Sequence, residues 1–172
     1  MVATADRIAL DRIARCLDAV RDPEMPAVSI MDLGIVRDIA WEGPDEAPVC
    51  VVTITPTYSG CPAMREITQD IERALHGQGI AAVAVRTRLA PAWTTDWLTE
   101  RGRLALLAEG IAPPVERAID VSGIARRAAP AVPCPHCGSA DTRMLSGFGA
   151  TSCRALYRCN ACREPFDYFK SH

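Results

Sequence analysis

The sequence lacks a large excess of charge of either sign. Its 172 residues include 19 lysines and arginines and 21 aspartates and glutamates, which gives a net charge of −2. A chain of this kind has no overall basic field that would attract nucleic acid or an acidic membrane surface. We therefore expect that the protein has no nucleic-acid partner.

Long apolar runs are also lacking. No run approaches the roughly 20 residues that a membrane-spanning helix needs. The first stretch, MVATADRIALDRIARCLDAV, carries acids and arginines throughout, so it has no uninterrupted apolar segment of the kind found in a secretory signal peptide. These absences predict a cytoplasmic protein without membrane contact.

Cysteine, by contrast, is plentiful, with eight residues in the chain. Disulfides are rare in a reducing cytosol, so we expect metal binding or thiol chemistry instead. Three cysteines lie in the first part of the chain and five in the last: Cys16, Cys50 and Cys61, followed by Cys134, Cys137, Cys153, Cys159 and Cys162.

Apolar periodicity in the first part of the chain predicts an α-β-β-α-β order of elements. The run VCVVTIT (49–55) is apolar on both faces, as is typical of a central strand that is covered on both sides. Met64, Ile67, Ile71 and Leu75 repeat at helical spacing and predict the second helix. The other predicted elements are a helix at about 5–20 and strands at about 35–41 and 80–91. Together they predict a small two-layer domain of the α/β (α+β) class.

A further short helix is predicted within TTDWLTERGRLALLAEGIAPP, with Thr94, Thr95 or Asp96 as its N-cap and Gly110 at its end. The next stretch is rich in Ala, Arg and Pro and shows little periodicity beyond one short strand at its start. The predicted domains are therefore a first domain with its helical extension at 1–112, a linker at 113–133 and a cysteine module at 134–172.

The cysteine module contains the spacing C-x2-C twice, at Cys134/Cys137 and at Cys159/Cys162. Two such turns can direct four thiolates at one ion, which suits Zn²⁺ in a structural zinc ribbon. A single iron fits the same geometry, and Cys153 could replace one of the four ligands, although a buried hydrophobic role for Cys153 is favoured. A module this small has too little core to fold without a metal.

The stretch TPTYSGCPAMREI places one cysteine between a strand and a helix. Pro62 suits the first position of a helix, which would make Cys61 its N-cap. There the helix dipole and unpaired N–H groups would favour thiolate over thiol, with Arg65 as a smaller contributor. The alternative is a buried structural cysteine, which is the common role of this residue type. Cys16 and Cys50 are predicted to be core residues.

Asp22 and Glu24 lie in a proline-flanked turn, RDPEMPAV. Carboxylates that are held rigidly could reach a metal or orient a thiol. Acids in such turns more often serve as caps or are solvated, and the sequence leaves both roles open.

Several motifs together resemble known families. DPEMPAVSIMDLGIV and TPTYSGCPAM, with the helix that follows, resemble the iron–sulfur-assembly domain of SufT and of the eukaryotic cytosolic targeting factors. With DWLTERGRLALLAEGIAPP, CPHCGSADT, FGATSCRALYRC and EPFDYFK added, nearly the whole chain is similar to the PaaD (or PaaJ) family, one of the subunit families of the bacterial phenylacetyl-CoA 1,2-epoxidase system.

The resemblance implies a non-catalytic accessory protein of aerobic phenylacetate degradation. It implies that Cys61 is the family's reactive cysteine and that Asp22 and Glu24 are its acidic residues. It also implies partners among the epoxidase subunits, namely a di-iron oxygenase and an iron–sulfur reductase. A homo-oligomer is compatible with the sequence.

Three hypotheses follow. In the leading one, the protein assists assembly of an iron–sulfur cluster or a di-iron centre, with Cys61 binding iron or a cluster transiently. In the second, it is a structural or regulatory subunit of the oxygenase complex. In the third, it is a monothiol redox protein, because CPAM has the form of a CPxC motif whose second cysteine is replaced by Met64.

Overall fold

The computed structural model describes residues 8–115 and 131–170. The chain divides into two compact units, Met1–Gly102 and Arg103–His172. Most of the predicted linker lies outside the described residues. Among the helices of the described ranges, none has both the length and the apolar character to cross a membrane.

The first unit has the predicted α-β-β-α-β order, with one additional pair of short strands. The main sheet has the strand order β3-β4-β5, in which β4 pairs antiparallel with β3 and parallel with β5. The central position of β4 agrees with its apolar run, because most of its residues are buried between β3 and β5. The elements are α1 (Leu10–Leu17), β1 (Arg21–Asp22), β2 (Met25–Ser29), β3 (Val36–Glu42), β4 (Val49–Ile54), α2 (Met64–Gly77) and β5 (Val83–Thr87).

The two helices supply one apolar layer of this unit. α1 contacts α2 and β3, and α2 contacts β5. Each helix buries residues at helical spacing, so its apolar stripe faces the core while its polar residues face solvent. The buried helical residues are Ile13 and Leu17 in α1, and Ile67, Ile71 and Leu75 in α2.

The two faces of the main sheet differ in polarity. Cys50, Val52 and Ile54 of β4 alternate along one face and are fully buried. Strand alternation places Thr53, with its register partners Asp38 and Arg86, on the opposite face. That face is the more polar one, and it carries an exposed ion pair between Arg86 and Glu42 at 2.6 Å.

The segment after β5 folds back onto the turn between β2 and β3. The indole N–H of Trp93 donates to the carbonyl of Leu33 at 2.7 Å, and the N–H of Thr99 donates to the carbonyl of Asp32 at 2.9 Å. The predicted N-cap at Thr94 is present, since its hydroxyl accepts the N–H of Asp96 at 3.1 Å. Thr94 caps a three-residue 3-10 turn, Thr95–Trp97. The longer helix begins later and is α3 (Glu100–Ala108).

The carboxylate of Asp32 holds this segment in place. It accepts hydrogen bonds from Arg101 Nε at 2.8 Å, from Thr99 Oγ1 at 2.5 Å and from Ser29 Oγ at 3.0 Å. Arg101 also pairs with Asp18. Burial alone would raise the pKa of Asp32, but these hydrogen bonds outweigh it and hold the pKa below its ordinary value.

The second unit contains a four-stranded sheet in the order β6-β9-β8-β7. Its core is a small cluster in which two cysteines, Cys134 and Cys159, pack with Ala112, Phe166 and Tyr168. The strands are β6 (Ile111–Ala112), β7 (Thr142–Ser146), β8 (Arg154–Cys159) and β9 (Pro165–Phe169).

The short strand β6 lies at the end of the span 1–112 that the sequence predicted for the first domain. In the structure β6 pairs parallel with β9, so it belongs to the sheet of the second unit. The division between the units falls at Gly102/Arg103, inside α3. Two apolar residues carry no periodic signal, so this pairing was not visible in the sequence.

Candidate functional site

The loop between β4 and α2 carries Cys61. The N–H of Cys61 donates to the carbonyl of Tyr58 at 3.2 Å, and its own carbonyl accepts the N–H of Met64 at 3.5 Å. The predicted role of Cys61 as helix N-cap is therefore wrong, because α2 begins at Met64 with Ala63 as its cap. Residues 61–63 form a turn that leads into the helix.

The thiol of Cys61 is half-buried, and opposing effects act on its pKa. Burial is the largest of them and raises the pKa above its ordinary value. The N–H groups of Ala63 and Met64 hydrogen-bond to the sulfur and lower it, while the carboxylates of Glu24 and Asp22 raise it again. The net direction is upward, so the low pKa that the sequence suggested is wrong.

The acidic turn is thus brought to the thiol from a distant part of the sequence. Asp22 is 4% exposed, and its Oδ1 accepts the N–H groups of Glu24 at 2.8 Å and Met25 at 3.0 Å. These two bonds fix the turn between β1 and β2. The structure therefore places all three predicted residues of this site, Cys61, Asp22 and Glu24, in one neighbourhood.

The two other cysteines of the first unit lie outside this neighbourhood. Cys50 is fully buried within β4, and burial raises the pKa of its thiol. Cys16 is half-buried in α1, donates to the carbonyl of Ala74 at 3.4 Å, and also has a pKa raised by burial. Both positions agree with the predicted packing role.

The second unit brings four cysteines together. The sulfurs of Cys134 and Cys162 are 3.7 Å apart, those of Cys137 and Cys159 are 3.6 Å apart, and all four lie within 4.8 Å of one another. A tetrahedron with metal–sulfur bonds of about 2.3 Å has sulfur–sulfur edges of about 3.8 Å. The four thiols fit a tetrahedral metal site, and this is a metal-binding centre.

Local backbone bonds shape the two C-x2-C turns. In the first turn, the N–H of Gly138 donates to the carbonyl of Cys134 at 2.8 Å, and Gly138 has a positive φ of 73°. In the second turn, the N–H of Cys162 donates to the sulfur of Cys159 at 3.4 Å. This N–H is the main cause that lowers the pKa of Cys159, which favours the thiolate that a metal binds. The pKa of Cys162 shifts the other way, because the lowering effect of the hydrogen bond from the N–H of Glu164 is outweighed by burial and the neighbouring thiols.

The fifth cysteine of the module does not join the four. Cys153 is 1% exposed, and its sulfur lies 2.9 Å from the hydroxyl of Thr151. The favoured interpretation of Cys153 as a buried residue agrees with this position. His136, between Cys134 and Cys137, is exposed and is not among the four grouped side chains.

Two family models match the chain. Residues 10–86 match a model described as an iron-sulfur cluster assembly protein, and residues 119–170 match a model described as the PaaD zinc beta ribbon domain. The first match contains Cys61, Asp22 and Glu24, and the second contains all four grouped cysteines.

Two known proteins are similar to parts of the chain that agree with these two family matches. An Escherichia coli K12 protein, named as a subunit of a "Putative 1,2-phenylacetyl-CoA epoxidase", is 44% identical over 154 residues, which cover 90% of this chain and 88% of that protein. The Bacillus subtilis "Fe-S protein maturation auxiliary factor YitW" is 31% identical over 97 residues, or 56% of this chain and 91% of that factor.

A solved structure supports the fold of the first unit. A crystal structure of a domain of unknown function, DUF59, from Bacillus anthracis matches with a TM-score of 0.50 and 28% identity, and the match covers 56% of this chain and 89% of that one. Because the similarity to the Escherichia coli protein extends over both units, the chain belongs to the PaaD family of phenylacetyl-CoA epoxidase proteins, accessory subunits that join an iron–sulfur-assembly domain to a metal-binding ribbon.

Proposed function

We propose that this chain is a non-catalytic maturation factor of the phenylacetyl-CoA epoxidase, and that Cys61 transiently holds the iron or iron–sulfur cluster that it delivers. The observation that supports the proposal most directly is the gathering of one thiol and two carboxylates, from Cys61, Asp22 and Glu24. The names of the similar proteins point the same way, since one is an epoxidase subunit and another an iron–sulfur maturation factor.

The chemistry of this donor set suits iron as a cargo. A thiolate and carboxylate oxygens are both ligands that iron accepts, and a bound cation reverses the effect of nearby acids on a thiol. When iron arrives, the Cys61 proton leaves to solvent and the sulfur binds as thiolate. Asp22 and Glu24 then attract the cation instead of opposing the thiolate.

The number of ligands favours transfer over storage. Iron–sulfur clusters that are held permanently are bound by four cysteines as a rule. Among the cysteines that the structure describes in the first unit, Cys61 alone lies in this loop, since Cys50 is buried within β4 and Cys16 donates to the carbonyl of Ala74. A client protein with more thiolates would therefore withdraw the cargo readily.

In the second unit, we propose structural Zn²⁺ bound by Cys134, Cys137, Cys159 and Cys162. The ion closes the small core, since Cys134 and Cys159 are themselves part of it. The ribbon then offers a rigid surface for docking to other epoxidase subunits, the di-iron oxygenase or the iron–sulfur reductase.

The test compares two cysteine variants in cells that depend on this protein for growth on phenylacetate. With Cys61→Ser, we expect intact oxygenase and reductase polypeptides that lack part of their iron or cluster, and no growth. Cys16→Ser is the matched control, because Cys16 is half-buried in the same unit and makes only one weak bond, so growth should be normal. Iron and sulfide in the purified epoxidase are measured directly.

Two outcomes would replace the proposal. Fully metallated epoxidase in Cys61→Ser cells would remove Cys61 from the mechanism and favour a structural subunit. Reduction of disulfides or glutathione mixed disulfides by the purified protein, lost in Cys61→Ser, would favour the monothiol redox protein. Metal and sulfide analysis of protein purified without oxygen would show what Cys61 carries.

A further inference from the structure

Two buried polar atoms in the described part of the chain have no hydrogen-bond partner: Arg37 Nε and Thr55 Oγ1. Thr55 is 1% exposed. A buried donor without a partner destabilises a fold, and such atoms are rare in native proteins. A bound ligand that supplies the missing partner is one explanation of such an atom.

Both atoms lie at the same end of the main sheet. Val36 of β3 pairs with Ile54, the last residue of β4, so Arg37 and Thr55 are each adjacent to this pair in sequence. On the other side of β4, the N–H of Arg88 donates to the carbonyl of Ile54 at 2.8 Å. Arg37 and Arg88 therefore flank the end of the central strand.

The register indicates which face these side chains share. Ile54 pairs with Thr87 in the last step of the parallel ladder, and Thr55 and Arg88 each follow this pair directly. Strand alternation, continued by one residue, would direct both side chains to the polar face of the sheet. Arg37 lies where the register between β3 and β4 shifts, and a bulge of this kind re-aims a side chain.

The guanidinium of Arg37 is held rigidly in this position. It stacks on the Trp97 ring, 3.5 Å from the ring centroid, and its Nη1 donates to the carbonyl of Gly34 at 3.4 Å. These contacts fix the plane of the group but leave Nε without an acceptor.

Neither arginine has a counter-charge among residues 8–115 and 131–170. No carboxylate there forms an ion pair with Arg37 or Arg88, although Asp38 lies on the same face. Burial, and then the charge of Arg88, lower the pKa of Arg37. Arg86, two residues before Arg88 on the same face, is by contrast paired with Glu42.

We propose that Arg37, Thr55 and Arg88 form a binding site for an oxyanion, the phosphate or carboxylate group of a small molecule. Guanidinium N–H groups and a hydroxyl are the donors that recognise such groups, and the anion would neutralise the two unpaired charges. The site stands on these three residues alone, and it does not depend on the role proposed for Cys61. The loop that begins at Thr55 leads to Cys61, so an anionic molecule bound here would lie at the start of the thiol-bearing loop.

The first experiment titrates the full-length, metal-loaded protein with pyrophosphate and, separately, with citrate at constant ionic strength. Amide signals are followed by NMR. We expect saturable shifts at Thr55 and Arg88, and the tighter of the two probes identifies phosphate or carboxylate as the ligand group. Arg88→Gln should weaken binding about tenfold, since it removes a charge-assisted hydrogen bond. Arg86→Gln, the matched control, should change it by less than about twofold.

The second experiment uses Thr55→Val, which replaces the orphan hydroxyl by a methyl group of similar size. The free protein should melt at a higher temperature, because a buried donor without a partner is removed, while binding of the anion should weaken. The proposal would be overturned if Thr55→Val melted at a lower temperature than the unaltered protein. Equal losses of anion affinity in Arg86→Gln and Arg88→Gln, or the absence of a saturable shift with either probe, would also overturn it.

Discussion

The pKa of Cys61 depends on residues that are far from it in sequence. Burial raises the pKa most, and the charge of Glu24 raises it further. Glu24→Gln removes that charge, so the pKa should fall and the thiolate should form at lower pH. In chelator-treated protein, the rate of Cys61 alkylation by iodoacetamide, followed against pH by mass spectrometry, should show a midpoint shifted to lower pH.

The control for this shift is Glu66→Gln. Glu66 lies in the first turn of α2, close to Cys61 in sequence, but it is not among the charges that act on the thiol. The midpoint of Cys61 alkylation against pH in Glu66→Gln should equal that of the unaltered protein. Equal midpoints for both variants would show that Glu24 does not act on the thiol.

At Gly34, the addition of a single carbon atom should destabilise the fold. Its φ is +68°, and an added Cβ would lie 2.5 Å from the carbonyl oxygen of Trp97 and 2.6 Å from its Cβ. Both the backbone conformation and the overlap disfavour a side chain, so Gly34→Ala should cost about 2–4 kcal/mol of unfolding free energy. Gly77→Ala meets nothing within 4 Å and ends a helix, so urea denaturation should show little change or a small gain.

At the scale of the elements, periodicity predicted those with a long apolar pattern. β4 and α2 have nearly the predicted extents, and the predicted α-β-β-α-β order is confirmed. The pairs β1–β2 and β6–β9 involve strands of two residues, which are too short for a periodic signal. The start of α2 was also mispredicted, because a proline is equally compatible with a turn before the helix.

The candidate sites were predictable to different degrees for a physical reason. The four metal-binding cysteines carry their own spacing, so local sequence is sufficient to group them. The surroundings of Cys61 depend on the tertiary contact with the turn at Asp22, which no local pattern reveals. Arg37 and Thr55 gave no signal at all, since an unpaired buried atom is visible only once its neighbours are placed.

The ribbon permits a direct test of ligand assignment. Cys159→Ser should abolish tight metal binding, because its sulfur is one of the four that lie within 4.8 Å of one another. Cys153→Ala should retain one equivalent of zinc, because the Cys153 sulfur contacts Thr151 instead. Elemental analysis after extensive dialysis measures both. Metal lost from Cys153→Ala and kept in Cys159→Ser would reverse the assignment.

The segment after β5 should detach at low pH. The folded-state pKa of Asp32 lies below its ordinary value of 3.8, so Asp32 stabilises the fold above that pH. This stabilisation is lost as the pH falls through the folded-state pKa, where Asp32 takes up a proton and its bonds to Arg101 weaken. Asp32→Asn should lower the free energy of unfolding by about 1–3 kcal/mol at pH 7 and by much less at pH 3.

Denaturant melts at pH 7 and pH 3 measure this difference, and Asp38→Asn is the control. Asp38 is exposed and forms no ion pair within the described residues, so its variant should follow the unaltered protein at both pH values. A loss in Asp32→Asn that is the same at both pH values would mean that the charge of Asp32 is not what stabilises the segment.

For the whole molecule, the two units differ in what holds each of them together. The first unit buries an extended apolar core between its helices and the β3-β4-β5 sheet. The core of the second unit is a small cluster that includes two of the four metal-binding cysteines. Below roughly 70–80 residues, a core of this kind seldom suffices without a metal or a disulfide. The stability of the second unit should therefore depend on its metal far more than that of the first.

Chelation of the full-length protein tests this dependence without truncating the chain. After addition of a strong zinc chelator, backbone amides in β7, β8 and β9 should lose their protection from hydrogen exchange, because the four thiolates no longer share an ion. Amides in β4 and α2 should stay protected, since their bonds and buried contacts lie within the first unit. Returning zinc should restore the protection, which separates metal loss from irreversible damage. If β4 and α2 lose protection together with the ribbon strands, the two units unfold as one and the ion supports the fold that carries Cys61 as well.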